Sequence, residues 1–251
     1  MNLTIIIPVY FPSTESLSLF SERLRTAIFP ALHPASKVTL KALPKGATPS
    51  IQSRSDLAKN SQYVLAIAKE AEAQGSEGVY VTDMDMCGVE IAREHLSVPI
   101  IGGFTANTAT ALSICRRFSI ITILDSVVDM QLEHIYSGAL QDRFASIKVA
   151  KAPVSELLDD PEKTAERVYR QAYAAVTEDG AEALILGCTG FIGIADQVRQ
   201  RLKRNHLDIP VLDPNRVAIS FLQHLVLSGI SQSKRTYRAP PLTESETVKN
   251  G

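Results

Sequence analysis

The chain has 251 residues, 45% of them hydrophobic, enough for one large core or two half-sized ones. Its 26 Lys and Arg against 27 Asp and Glu leave a net charge of -1, which offers no basic field for nucleic acid or for an acidic membrane surface. The opening "MNLTIIIPVY" has no basic n-region, and its apolar run is far shorter than the roughly 20 residues that span a bilayer, so it reads as the first strand of a cytoplasmic protein. Three cysteines, Cys87, Cys115 and Cys188, lie far apart without CxxC spacing, which argues against a disulfide framework and against a zinc or other metal site.

In chain order, apolar β-rich runs alternate with helix-like stretches. "LTIIIP" and "VTLKAL" come first, followed by "SRSDLAKNSQYVLAIAKEAEAQG", whose helical periodicity opens on the capping residue Ser53 and stops at Gly75. "GVYVTD" leads into a helix at "CGVEIAREHL", and "VPIIGG" leads into "TANTATALSIC". The order then repeats with "RFSIITIL", "SIKVAKA", a helix from Asp160 to Gly180, "EALILGC", "IADQVRQRL", "IPVLDP" and "NRVAISFLQHL". Strands alternating with helices imply parallel sheets covered on both faces. The expected class is α/β, with two similar lobes related by a pseudo-twofold axis and the active site between them. They divide as 1–115 and 116–228, with the C-terminal segment able to cross back onto the first lobe and 229–251 forming a tail.

Laying "VYVTD" over "LILGC" superposes Asp83 on Cys188. In open α/β sheets, ligands bind beyond the carboxyl ends of the strands, so facing lobes would bring both residues to one cleft from opposite sides. Two proton-transfer groups on opposite faces of one carbon are what stereochemical inversion requires. At Cys188 the start of the next helix is expected to lower the thiol pKa from about 8.5 toward neutrality. The N–H groups of Cys188, Thr189 and Gly190 would hold a carboxylate or an enolate oxyanion, and Gly187 and Gly190 would let the backbone approach closely. Met84 beside Asp83 and Thr122 at the end of its strand are candidate substrate contacts. Cys115, in "ALSICRRF", reads instead as a small buried hydrophobe.

An ordinary aspartate near 3.9 is a weaker base than a thiol near 8.5, and full proton transfer to it would cost up to roughly 6 kcal/mol more. Burial, or a like charge at Asp85, would recover part of that by raising its pKa. Two other readings stand beside catalysis by Asp83. It or Asp85 could cap the "CGVEIAREHL" helix, and Cys87, four residues on, could face the cleft in its place.

The chain resembles the hydantoin and allantoin racemase branch of the aspartate/glutamate racemase superfamily over nearly its whole length. "EDGAEALILGCTGF" is similar to that family's second-cysteine segment, "RRFSIITIL" to its mid-chain strand, "SVPIIG" to its "PVVG" stretch, and "SQSKRTYRAPPL" to its closing "SKR" and "APL" pattern. The resemblance implies a cofactor-independent racemase or epimerase in which Cys188 is one of two acid/base groups. It would move a proton at a carbon next to a carbonyl in a small hydantoin-, ureide- or amino-acid-like substrate. A homo-oligomer without nucleic-acid or membrane partners is expected.

The chain also departs from that pattern. Where the family has C-x-x-D-P-G and an A-R-E helix, this chain has "DMDMCGVEIARE", which puts Asp83 in place of the first cysteine. The family's N-P-N-T becomes "IPVYFPSTES", which keeps Pro8 and offers Tyr10 or Thr14 for the asparagines, and an acidic residue is replaced near Thr105. A single thiol also resembles arylmalonate decarboxylase-like lyases, where one cysteine protonates an enediolate. A small-molecule-binding paralogue without activity is a further alternative. Of the five histidines, only His134 falls where a family helix approaches the cleft; all read as solvated or packed.

Overall fold

The structure, a computed structural model, describes residues 1–152, 157 and 160–241. The end of the "APPL" match at Leu242 and the rest of the expected tail lie outside the described residues. All eight sequence runs read as strands form strands: β1 Asn2–Tyr10, β2 Lys37–Leu43, β3 Gly78–Val81, β4 Ile100–Gly102, β5 Phe118–Thr122, β6 Phe144–Val149, β7 Ala183–Leu186 and β8 Val211–Leu212. They make two four-stranded parallel sheets of identical order, β2-β1-β3-β4 and β6-β5-β7-β8. Inner strands β3, β5 and β7 are buried at every position, whereas the edge strands β2 and β6 are mostly half-exposed. That is why the inner strands read as unbroken apolar runs and the edge strands do not.

The helices are α1 Thr14–Ile28, α2 Arg54–Ala73, α3 Val89–His95, α4 Gly103–Ile114, α5 Val128–Ser137, α6 Pro161–Thr177, α7 Ile194–Arg204 and α8 Pro214–Leu227. The long ones start where local chemistry says they should. Ser53 accepts from the Asp56 N–H at the start of α2 and Asp160 from the Lys163 N–H at the start of α6. Beyond their C-terminal ends, Gly75 and Gly180 take positive φ, as the chain must to leave the helix axis. Among the described residues, no helix is long and apolar enough to cross a membrane.

Two helices are exchanged between the sheets. Helix α4 follows β4 of the first sheet, yet Phe104 and Ala111 pack in a cluster with Phe118, Ile120, Ala183 and Ile185 of the second. Helix α8 follows β8 of the second sheet but buries Ala218, Ile219 and Leu222 against Leu3, Ile5 and Tyr80 of the first. The core under α4 is therefore continuous across both sheets, and this holds the ends of β3 and β7 in a fixed relation.

Candidate active site

The loops after β3 and β7 follow one plan. Asp83 lies two residues beyond the end of β3 and Cys188 two residues beyond the end of β7. Five residues further on, Gly88 and Gly193 take left-handed conformations and open α3 and α7. Gly88 has a second constraint, because a Cβ there would stand 2.8 Å from the Val64 side chain and 2.9 Å from the Ser61 carbonyl. Both loops meet one cavity of about 300 Å³. Asp83, Met84 and Asp85 line it from the first sheet, and Gly187, Cys188, Thr189 and Gly190 from the second.

The first loop buries two carboxyl groups with different support. Burial raises the Asp83 pKa to about 6, while the backbone N–H groups of Cys87, Asp85 and Met84 hold it down; the Cys87 N–H reaches Oδ2 at 2.8 Å. Asp85 is pushed well above the carboxylate range by burial and then by the Asp83 charge, with some relief from the Gln131 amide. Donors stabilise the charged form, so Asp83, which has three of them, ionises before Asp85. Neither residue caps α3, whose N-cap is Gly88 without a side-chain bond. Asp83 instead closes the turn ahead of that helix through the Cys87 N–H.

Cys87 does not face the cleft. It is fully buried, with Sγ 3.7 Å from Ser61 Oγ and from the Leu57 carbonyl, and burial raises its pKa. A left-handed Met86, at φ 60°, turns the chain so that residue 87 points under the loop.

At Cys188 the sequence expectation needs correction. Helix α7 begins only at Ile194, so the thiol sits in a turn and not at a helix N-terminus. Burial raises its pKa to about 12, the N–H groups of Gly190 and Phe191 oppose that, and the charges of Asp83 and Asp85 add to it. The half-buried side chain opens onto the cavity as a thiol. The turn is tied to the other lobe: Thr189 Oγ1 donates to the Thr82 carbonyl at 2.8 Å, and Asn215 Nδ2 donates to the Thr189 carbonyl at 2.8 Å. Tyr80 in turn donates to Asn215 Oδ1 at 3.0 Å.

Of the other residues singled out by sequence, Pro8 lines the cavity, its carbonyl accepting from Asn60 Nδ2 at 2.9 Å. Tyr10 does not, because the β1–β2 register shifts between Ile7 and Tyr10 and the ring packs on the core cluster. Thr14 is exposed at the start of α1. Thr122 is fully buried beneath Gly187, where a Cβ would come within 3.2 Å of its Cα and 2.6 Å of Ile120 Cγ2. Residue 187 must be glycine for packing against β5, beyond any contact with a ligand. His134 lies on α5 against Phe104, and burial lowers its pKa. Sequence reasoning missed Asn60, Tyr80 and Asn215, which act across more than 50 positions, and Gln131, which donates to the Gly187 carbonyl at 2.8 Å. The apolar wall of Ile7, Phe11, Phe20, Ile51, Val127 and Leu157 was equally unmarked, being assembled from five separate segments.

The family model described as Asp/Glu/Hydantoin racemase matches residues 14–222. The chain is 30% identical over 192 residues to a hydantoin racemase from Rhizobium meliloti, covering 76% of this chain and 78% of that one. Among solved structures, an allantoin racemase from Pseudomonas fluorescens superposes with a TM-score of 0.86 at 27% identity, covering 97% of this chain and 99% of that one. An allantoin racemase from Klebsiella pneumoniae has the same fold, with a TM-score of 0.86 at 24% identity over 97% and 95% of the two chains.

Proposed function

The chain belongs to the Asp/Glu/hydantoin racemase family, and from that premise we propose that Asp83 and Cys188 are the two proton-transfer groups of a racemase acting on a small molecule with an acidic carbon next to a carbonyl. One observation carries the reading: equivalent positions of two like sheets place a carboxylate and a thiol on the wall of one cavity. The Asp83 carboxylate removes the proton from one face, and the electron pair moves into the adjacent carbonyl as an enolate. The Cys188 thiol delivers its proton to the other face, leaving a carboxylic acid at 83 and a thiolate at 188, which exchange protons with solvent or with the opposite enantiomer. The N–H groups of Cys188 and Thr189, which meet no backbone carbonyl among the described residues, suit the enolate oxygen. The cycle moves only protons and asks for no cofactor.

Burial raises both groups and so leaves their ordinary gap open. The resting enzyme holds carboxylate and thiol, ready for one enantiomer, and the other needs the reverse ionisation.

The wall also bears on the substrate. Two acids and many apolar side chains line the cavity, with no Lys, Arg or His among the described residues. That chemistry favours a neutral substrate with an apolar substituent, such as a 5-substituted hydantoin, over a dianionic malonate. The test is to incubate single enantiomers of 5-substituted hydantoins, allantoin, amino acids and an arylmalonate in deuterated water. Loss of optical rotation with deuterium entering both enantiomers is the expected result for a hydantoin. Exchange on one face only, or carbon dioxide release from the malonate, would replace racemisation by single-sided protonation.

A further inference from the structure

Two buried acceptors on the cavity wall take no part in the proton transfer. Asp85 and Gln131 are 6% and 1% exposed and both line the cavity. Oδ1 of Asp85 and Oε1 of Gln131 are buried without a hydrogen-bond partner. The amide of Gln131 is oriented by its other end, since Nε2 donates to the Gly187 carbonyl and only Oε1 is left to accept. A buried acceptor stripped of water and unpaired is unfavourable, and it recovers that loss when a ligand supplies a donor.

We propose that Asp85 and Gln131 form a hydrogen-bond-accepting subsite that selects a neutral ligand by its ring N–H groups and so determines specificity. The inference rests on the racemase reading of the same cavity and adds two residues from opposite lobes that the proton transfer does not use. Asp85 comes from the loop after β3 and Gln131 from α5, so a ring bound against both is held across the cleft, beside Asp83 and Cys188. Gln131 is joined to Gly187, the residue before the thiol, so ligand recognition bears directly on the position of Cys188. A carboxylate-bearing ligand is disfavoured at Gln131, because it would set an acceptor against the free amide oxygen.

The experiment uses 5-methyl-5-phenylhydantoin, which has no proton at C5, so that binding is read without turnover. Its affinity for the full chain is measured by calorimetry beside two analogues, the oxazolidine-2,4-dione with oxygen in place of the N1–H and the N3-methyl hydantoin. In the wild type, at least one replacement is expected to weaken binding about tenfold or more, as in a site that loses a donor to its buried acceptor. In Gln131→Met or Asp85→Ala the same replacement should change affinity less than threefold, a loss of discrimination that misplacement of Gly187 would not produce. No binding of the parent hydantoin, equal binding of all three ligands by the wild type, or full discrimination kept in both variants would overturn the proposal. A wild type that discriminates in this way but racemises no 5-monosubstituted hydantoin would sink the racemase reading alone.

Discussion

The loops 82–88 and 187–193 share a backbone plan and differ in what the plan carries. Each leaves its strand, puts a reactive side chain at the same step and turns on a left-handed glycine into a helix. In the first loop the side chain is a carboxylate held by N–H groups, with a second carboxyl beside it and a thiol buried beneath it. In the second it is a thiol that burial and two acidic neighbours keep protonated. Fold symmetry therefore brings two groups to one cavity without making them equal. The local donors and charges decide which of the two ionises more readily.

The strongest way to break this comparison is to remove the thiol. Cys188→Ala is expected to lower racemisation roughly a thousandfold, followed by polarimetry, while leaving ligand binding measurable. Asp83→Asn comes next, with a loss of roughly a hundredfold or more. It should also lower the Cys188 pKa, because a charge that now raises it disappears, and the alkylation rate of Cys188 against pH reads that shift.

In the proposed cycle the same carboxylate sets the pH dependence. Asp83 must be ionised to act, so activity should rise with pH through about 6, whereas Cys188, raised to about 12, adds no falling limb near neutrality. For stability the sign is the opposite. A folded-state pKa above the ordinary value means that burial of Asp83 is tolerated in acid and costs stability as pH rises through about 6. Asp83→Asn should accordingly be more stable than wild type at neutral pH by up to roughly 3 kcal/mol, a gain that shrinks in acid when the two are compared by thermal unfolding.

A smaller effect sharpens the link between the loops. Asn215→Ala removes the bond to the Thr189 carbonyl and leaves the Tyr80 hydroxyl unpaired, which should cost about 1–3 kcal/mol in denaturant unfolding. With the turn displaced, kcat should fall about tenfold with KM little changed. The smallest change is expected at Cys87. Its replacement by Ala should leave racemisation within about twofold and cost about 1 kcal/mol of stability, since its thiol packs beneath the loop.

Most of the architecture was legible in sequence because its signals are local. Capping at Ser53 and Asp160, glycine exits at Gly75 and Gly180 and the apolar runs of eight strands each act within a few residues of themselves. The superposition of "VYVTD" on "LILGC" pointed to two positions that line one cavity for the same reason, since the repeat is written into the chain. Asp85 appeared only as a possible cap or a charge near Asp83, and Gln131 not at all, because an unpaired acceptor shows only once its surroundings are assembled.

By itself, then, the sequence determined the α/β class, the order of strands and helices and the step at which Asp83 and Cys188 leave their strands. Periodicity, capping and repetition are properties of neighbours along the chain. Tertiary structure alone decided that Cys87 turns away, that Tyr10 and Thr122 miss the cavity, that α4 and α8 change sheets and that the thiol pKa goes up where a helix terminus would have lowered it. Each of those outcomes depends on burial and on charges brought close by folding, and residues far apart in the chain supply both.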